Sequence, residues 1–153
     1  MYQTLTSMDA GIADRNLRIE IFAMCESASD QNGRLSILGT FDSITGVQFP
    51  LILQQAAVVL RLRFWPLERR NHSVRLTTTD PDGREVMAPV EAAAALLPSP
   101  EDQSSAYNII FHVRDLCLNS PGEHTVDFYL DGGLEGRLPF TVVQAPPRDA
   151  GAQ

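Results

Sequence analysis

The sequence predicts an all-β protein: one domain folded as a sandwich of about eight strands with Greek-key connections. Three observations lead there. Apolar and polar residues alternate in short runs between residues 17 and 144, the period of a half-buried strand. Turn signals such as Asn32-Gly33, Asp80-Pro81-Asp82-Gly83 and Asp131-Gly132 separate the runs. Finally, 153 residues with 44% hydrophobic and 20% charged composition suit a single domain with a buried core.

The elements follow in order. Residues 1–16 and 145–153 are polar or small and lack apolar periodicity, so they read as flexible tails around a domain at 17–144. The first run places Leu17, Ile19, Ile21, Ala23 and Cys25 on one face, with Phe22 and Met24 making the other partly apolar. Asn32-Gly33 is a strong hairpin signal, and Leu35, Ile37, Gly39 and Phe41 alternate after it. A glycine on the inward parity of a strand usually makes room for a large side chain opposite; Phe64, Phe111 and Phe128 are the candidates for Gly39.

After Phe49-Pro50, Ala56, Val58, Leu60, Leu62 and Phe64 face in, while Arg61 and Arg63 face out. Val74, Leu76 and Thr78 continue the pattern up to the Asp80–Gly83 turn. Residues 85–97 hold four successive alanines, which favour helix, but Pro89 and the neighbouring hairpin favour an edge strand, the reading adopted. Tyr107, Ile109, Phe111 and Val113 then point inward, followed by Val126, Phe128 and Leu130, and lastly Leu138, Phe140 and Val142.

Composition removes several chemistries. All twelve basic residues are arginine, so Schiff-base catalysis, pyridoxal phosphate attachment and the P-loop lysine have no residue to use. A net charge of -7 opposes a nucleic-acid partner. The N-terminus has no positively charged start and no apolar core of a signal peptide, and no window reaches the apolar length of a transmembrane helix. The expectation is a cytoplasmic protein with no membrane partner. Cys25 and Cys117 are then expected as free thiols.

Three stretches carry a family likeness: IEIFAMCESASDQNGRLSILGTFDSI; VVLRLRF with DPDGREV; and NIIFHVRDLCLNSPGEHTVDFYLDGG with RLPFTVV. They resemble a bacterial domain-of-unknown-function family, number 6941, over about Leu17 to Val143. The resemblance implies a β-sandwich and a bacterial cytoplasmic origin, and no activity. The stretch around His124 is also similar to the corner where immunoglobulin-like sandwiches place a hydrogen-bonded tyrosine. It implies an immunoglobulin-like sandwich in which His124 ties that corner by one hydrogen bond.

The arginines are the main candidate site. Arg61 and Arg63 share an outward face with Trp65 two positions on, and Arg69, Arg70 and Arg75 follow. If Arg75 lies on the next strand, Arg61, Arg63, Trp65 and Arg75 form one surface suited to carboxylates or phosphates, because the guanidinium fork is planar and rigid. The plainer reading is a solvated sheet face with Glu68, Asp80 and other carboxylates as partners. His72, His112 and His124 share no metal-ligand spacing, and Asp80 and Asp82 read as turn formers because a calcium loop aligned on Gly83 would end at Pro89. No G-x-S-x-G, H-E-x-x-H or glycine-rich phosphate cradle is present.

The expected function is therefore a non-catalytic module that binds a protein partner or self-associates, without a cofactor. The alternative is a small-molecule sensor or enzyme. It would need a pocket at one end of the sandwich, lined by loops 42–55 and 96–105 with His112, His72 or Cys117 converging.

Overall fold

A computed structural model describes residues 17–65, 70–96 and 104–147, with only the backbone at Arg70 and Leu96. The strands are β1 (Leu17–Gln31), β2 (Arg34–Phe41), β3 (Ser43–Gly46), β4 (Leu51–Phe64), β5 (Arg70–Thr79), β6 (Val90–Leu96), β7 (Ser105–Leu118), β8 (Gly122–Leu130) and β9 (Gly133–Gln144). No helix occurs among the described residues, and so none that could cross a membrane. The expected tails at 1–16 and 148–153 lie outside the described residues. Ala145 is tied down, its N–H donating to the Gly46 carbonyl at 2.9 Å.

The strands form two sheets, ordered β2-β1-β4-β7 and β3-β9-β8-β5-β6. Both contribute to one apolar cluster: Met24, Val58, Leu60, Leu62 and Phe111 from the first, Val74, Leu76, Val126, Phe128 and Phe140 from the second. Phe22 and Phe128 meet edge-to-face between the sheets, ring centroids 6.3 Å apart. Phe64 packs on the rim of this cluster.

Nine strands replace the expected eight. The addition, β3, lies in the segment expected as loop 42–55 and pairs parallel with β9. Four residues are too few to show alternation, and a parallel partner lies far along the chain. The strand expected at 85–97 is shorter, β6 beginning after Pro89, while Glu85 makes an isolated bridge to Thr79. It is an edge strand, as Pro89 suggested.

The first strand departs from simple alternation. Ile19 pairs with Leu62 and Ile21 with Arg61, so Glu20 is an extra residue in the ladder. This β-bulge reverses the parity downstream. Leu17 and Ile19 pack on the main cluster and so do Phe22 and Met24, whereas Ile21 and Cys25 turn to the outer face. The expected grouping of Ile21, Ala23 and Cys25 with Leu17 and Ile19 is thereby corrected.

A second cluster sits on that outer face. Cys25, Ala57 and Val59 are buried there under Ile21, Ala28, Leu35, Ile37 and Ile110. Its cover is the β1–β2 hairpin, whose Asn32-Gly33 turn has φ of 55° and 82°, as a type I′ turn requires. Asp30 and the Gly33 carbonyl both accept from Asn108 Nδ2 on β7, at 3.1 and 3.3 Å, so the hairpin tip folds back over the sheet.

Gly39 makes that bend. Its φ is +69°, a left-handed conformation that costs an L-residue about 1–2 kcal/mol. Leu35 and Ile37 before it pack on the outer cluster, while Phe41 after it packs on the main one. The side chain a Cβ at Gly39 would meet is Glu26, at 2.8 Å, not Phe64, Phe111 or Phe128. The space-making role belongs to Gly136, where a Cβ would lie 2.9 Å from Ile19 and 3.4 Å from Phe22 of the facing sheet.

Gly39→Ala is expected to lower stability by about 1–2 kcal/mol and to raise the reactivity of Cys25 toward a disulfide reagent as the hairpin lifts. Urea unfolding and thiol titration measure the two effects. An unchanged midpoint together with a still-protected Cys25 would show that the bend does not need glycine.

Candidate functional site

The outer face of the four-stranded sheet carries the candidate site, and the pairing of β1 with β4 builds it. Arg61 and Arg63 alternate with the buried Leu60 and Leu62, so their side chains leave the core on β4. Glu20, outward on β1 with the same parity as Arg18, brings its carboxylate to the same face between them. Arg61 Nε donates to Glu20 Oε1 at 3.1 Å. Arg63 grips the carboxylate with two nitrogens, Nε to Oε2 at 2.7 Å and Nη2 to Oε1 at 3.3 Å. Arg18 Nη2 adds a fourth contact, to Oε2 at 3.2 Å. Three guanidinium groups thus share one carboxylate.

The remaining donors are partly used. Arg61 Nη1 donates to Asn108 Oδ1 and Arg63 Nη1 to Ser104 Oγ, both at 2.9 Å. Through Asn108 the network continues to Asp30 and the hairpin turn. Trp65, just past the end of β4, is 39% exposed. The Arg18 guanidinium lies 5.5 Å from its ring centroid, within cation–π range.

The Arg63 hydrogen bonds hold the Glu20 carboxyl well below the usual carboxylate range, from 4.5 to about 2. Partial burial opposes this shift, and Arg18 and Arg61 reinforce it. Reciprocally, Glu20 raises the affinity of Arg63 for its proton.

Of the expected site residues, Arg61, Arg63 and Trp65 fall on this face. Arg75 does not. It lies on β5 in the five-stranded sheet, alternating with the buried Val74 and Leu76, and so projects from the opposite side of the molecule. There its neighbours are Glu91 at 3.7 Å and the Tyr129 ring at 5.7 Å. Sequential strands β4 and β5 belong to different sheets, which the spacing of arginines could not reveal. Arg69 and Glu68 lie outside the described residues, as does the Arg70 side chain. Asp80 is engaged by its own turn, accepting from the N–H groups of Asp82 and Arg84 at 2.9 Å.

Sequence reasoning missed Arg18, Glu20, Ser104 and Asn108. Arg18 and Glu20 share the outward parity of β1, and the pairing of β1 with β4, invisible to local periodicity, brings Glu20 beside residues 61 and 63. The one local signal was Arg-Ile-Glu beside a strand bearing two outward arginines.

The histidines and cysteines are dispersed. His72 Nδ1 lies 2.6 Å from Asp131 Oδ2, and its ring stacks on Phe64. His112 is exposed beside Ala57, on the outer face of the other sheet. Cys117 pairs with Ile52, towards the end of β4 away from Phe64. These residues do not converge. Both cysteines are free, and burial pushes the Cys25 thiol up. His124 is fully buried, Nδ1 3.1 Å from the Gly122 carbonyl and its ring stacked on Phe140, consistent with a corner tie. No group of three or more metal-ligating side chains occurs among the described residues. The segment 97–103, most of the second expected pocket loop, lies outside them.

Fold and site together define a two-sheet, all-β protein with an arginine-rich outer face gathered around one carboxylate. The chain belongs to a family of unknown function, DUF6941, whose model matches residues 20–143. No curated protein matches it. Among solved structures it is similar to part of a Pseudomonas fluorescens alkylpurine DNA glycosylase bound to DNA containing an abasic site analog. The identity is 13% and the TM-score 0.49, over 87% of this chain and 32% of that one. It is also similar to part of a Listeria innocua β-glucosidase in complex with glucose, at 9% identity and TM-score 0.49, over 86% of this chain and 16% of that one. An immunoglobulin-like protein from Pseudomonas aeruginosa shows 13% identity and a TM-score of 0.39, over 85% and 98% of the two chains. The chain thus spans about a third of the glycosylase and about a sixth of the glucosidase, and likenesses this distant carry no argument about activity.

Proposed function

We propose that this chain is a non-catalytic, immunoglobulin-like β-sandwich module of the bacterial cytoplasm that binds an acidic segment of a partner protein. The sandwich reading is supported by the single cluster shared between sheets and by a chain that crosses between them five times, as in Greek-key folds. The free thiols suit a reducing compartment. One observation carries the binding reading. Among the described residues, Arg18, Arg61 and Arg63 share Glu20 alone as their carboxylate, beside an exposed indole, in a protein of net charge -7.

A surplus of positive charge on a rigid, hydrogen-bonded frame selects carboxylates at little ordering cost. Arg18 is 61% exposed, so it and Trp65 are the groups a partner meets first. Arg61 and Arg63, each about one-quarter exposed, hold the charge in place behind them.

A labelled glutamate-rich peptide tests this by fluorescence anisotropy. The intact protein is expected to bind it, with affinity falling as salt rises. Arg18→Glu combined with Trp65→Ala, which leaves Arg61, Arg63 and Glu20 untouched, should weaken binding by about tenfold or more, equivalent to about 1.4 kcal/mol. No binding, or equal binding by the variant, would overturn the reading.

A further inference from the structure

Among the described residues the two sheets have four edges, and three carry the usual protections against pairing with another chain. The β2 edge is bent away at Gly39, with φ +69°. The β3 edge is four residues long. The β7 edge displays His112, Arg114 and Asp115 in solvent, the last with φ +51°. Charges, short length and local twist are the devices that blunt an edge. The fourth edge, β6, is the least protected, with seven residues, no register shift and a single charge, Glu91. Its sequence is VEAAAAL, and it pairs with β5 along its whole length. Ala92, Ala93 and Ala95 are exposed, and no proline falls within the strand.

We propose that β6 pairs with β6 of a second copy of this chain, antiparallel about a two-fold axis through Ala93, joining two five-stranded sheets into one of ten. The strand is complementary to itself in that register. Val90 pairs with the position of Leu96, Glu91 with Ala95, Ala92 with Ala94 and Ala93 with its own copy. The single charge, Glu91, therefore faces alanine and not its counterpart, and it keeps its Arg75 neighbour at 3.7 Å within each chain. Antiparallel pairing puts facing residues on the same side of the joined sheet. Ala94, buried at 5%, stays on the core side, and Ala93 stays on the solvent side with Glu91. Small side chains along the seam leave both backbones free to approach to strand spacing, about 4.8 Å. The occupant is a second copy because the pattern of charge and side-chain size matches itself from end to end.

The test uses the whole chain in sedimentation equilibrium across micromolar to millimolar concentration. The wild-type mass is expected to rise from 16.8 kDa towards twice that value. Ala93→Arg and Ala93→Glu place like charges face to face at the axis, so each variant alone should stay monomeric. Because residue 93 projects into solvent, both should unfold at the urea midpoint that the wild type shows when dilute enough to be monomeric. An equimolar mixture of the two should recover the dimer, a rescue that only a two-fold axis at residue 93 produces. A wild-type protein monomeric throughout would overturn the proposal. So would a dimer unaffected by both variants, or a monomer that accepts a strand from a different polypeptide at this edge. None of these outcomes depends on the arginine face, whose peptide binding is read separately.

Discussion

Phe128→Ala is expected to lower the free energy of unfolding by about 3–5 kcal/mol, more than any substitution in the hairpin or on the arginine face. Phe128 is fully buried on β8 and meets Phe22 of the facing sheet edge-to-face, ring centroids 6.3 Å apart and planes at 71°. Truncation removes the transfer free energy of the ring and leaves a cavity between two layers whose strands are already paired on both sides of β8. Hydrogen-bonded sheets cannot collapse far to fill it, so the upper part of the range applies. Against a total stability of about 5–15 kcal/mol, the loss leaves the fold marginal. Urea unfolding should show a much lower midpoint with an unchanged slope. A loss below about 1 kcal/mol would mean that the sheets are not held together through this contact.

Glu20→Gln is expected to cost about 1–2 kcal/mol at neutral pH, with a characteristic acid dependence. A carboxyl held at about 2 in the folded protein instead of 4.5 corresponds to roughly 3 kcal/mol, at about 1.36 kcal/mol per tenfold change in proton affinity. Solvent reaches the Glu20 side chain, 20% of which is exposed, and screening reduces the figure. Because the folded value is depressed, this stabilisation is complete above pH 4.5. Below that, the unfolded chain takes up a proton that the folded chain does not, and the contribution is lost as pH falls towards 2. Urea unfolding of wild type and variant from pH 7 to pH 3 should show a constant gap down to about pH 5 that narrows below 4.5. A gap that stays constant into acid would assign the loss to packing and not to charge.

These two residues mark how much of the molecule was readable beforehand. Phe128, with Val126 and Leu130, declared its inward position through alternation, as did Leu60, Leu62, Val74 and Phe140. Asn32-Gly33 declared a hairpin because few residue pairs adopt two successive positive φ values. The same reasoning reached Arg61, Arg63 and Trp65, since outward parity on a strand of strong apolar alternation is a local property. It failed at Glu20, where one extra residue in the ladder reversed the expected side of Ile21 and Cys25. It also misplaced the function of one glycine. Gly39 bends a hairpin and does not make room for Phe64, Phe111 or Phe128; it is Gly136 that makes room, for Ile19 and Phe22.

By itself, then, the sequence determined the all-β class, the main inward-facing residues, the Asn32-Gly33 turn and the outward placement of two arginines. Tertiary structure alone decided which strands are neighbours: β3 beside β9, β4 and β5 in different sheets, Arg75 on the far side from Arg61, and Glu20 between Arg61 and Arg63. The reason is physical. A two-residue period reports which way a side chain points relative to its own backbone, and nothing about the strand across the ladder. Register, bulges and sheet membership are settled by contacts between segments far apart in the chain, so a site assembled across β1, β4 and β7 exists only once those strands have met.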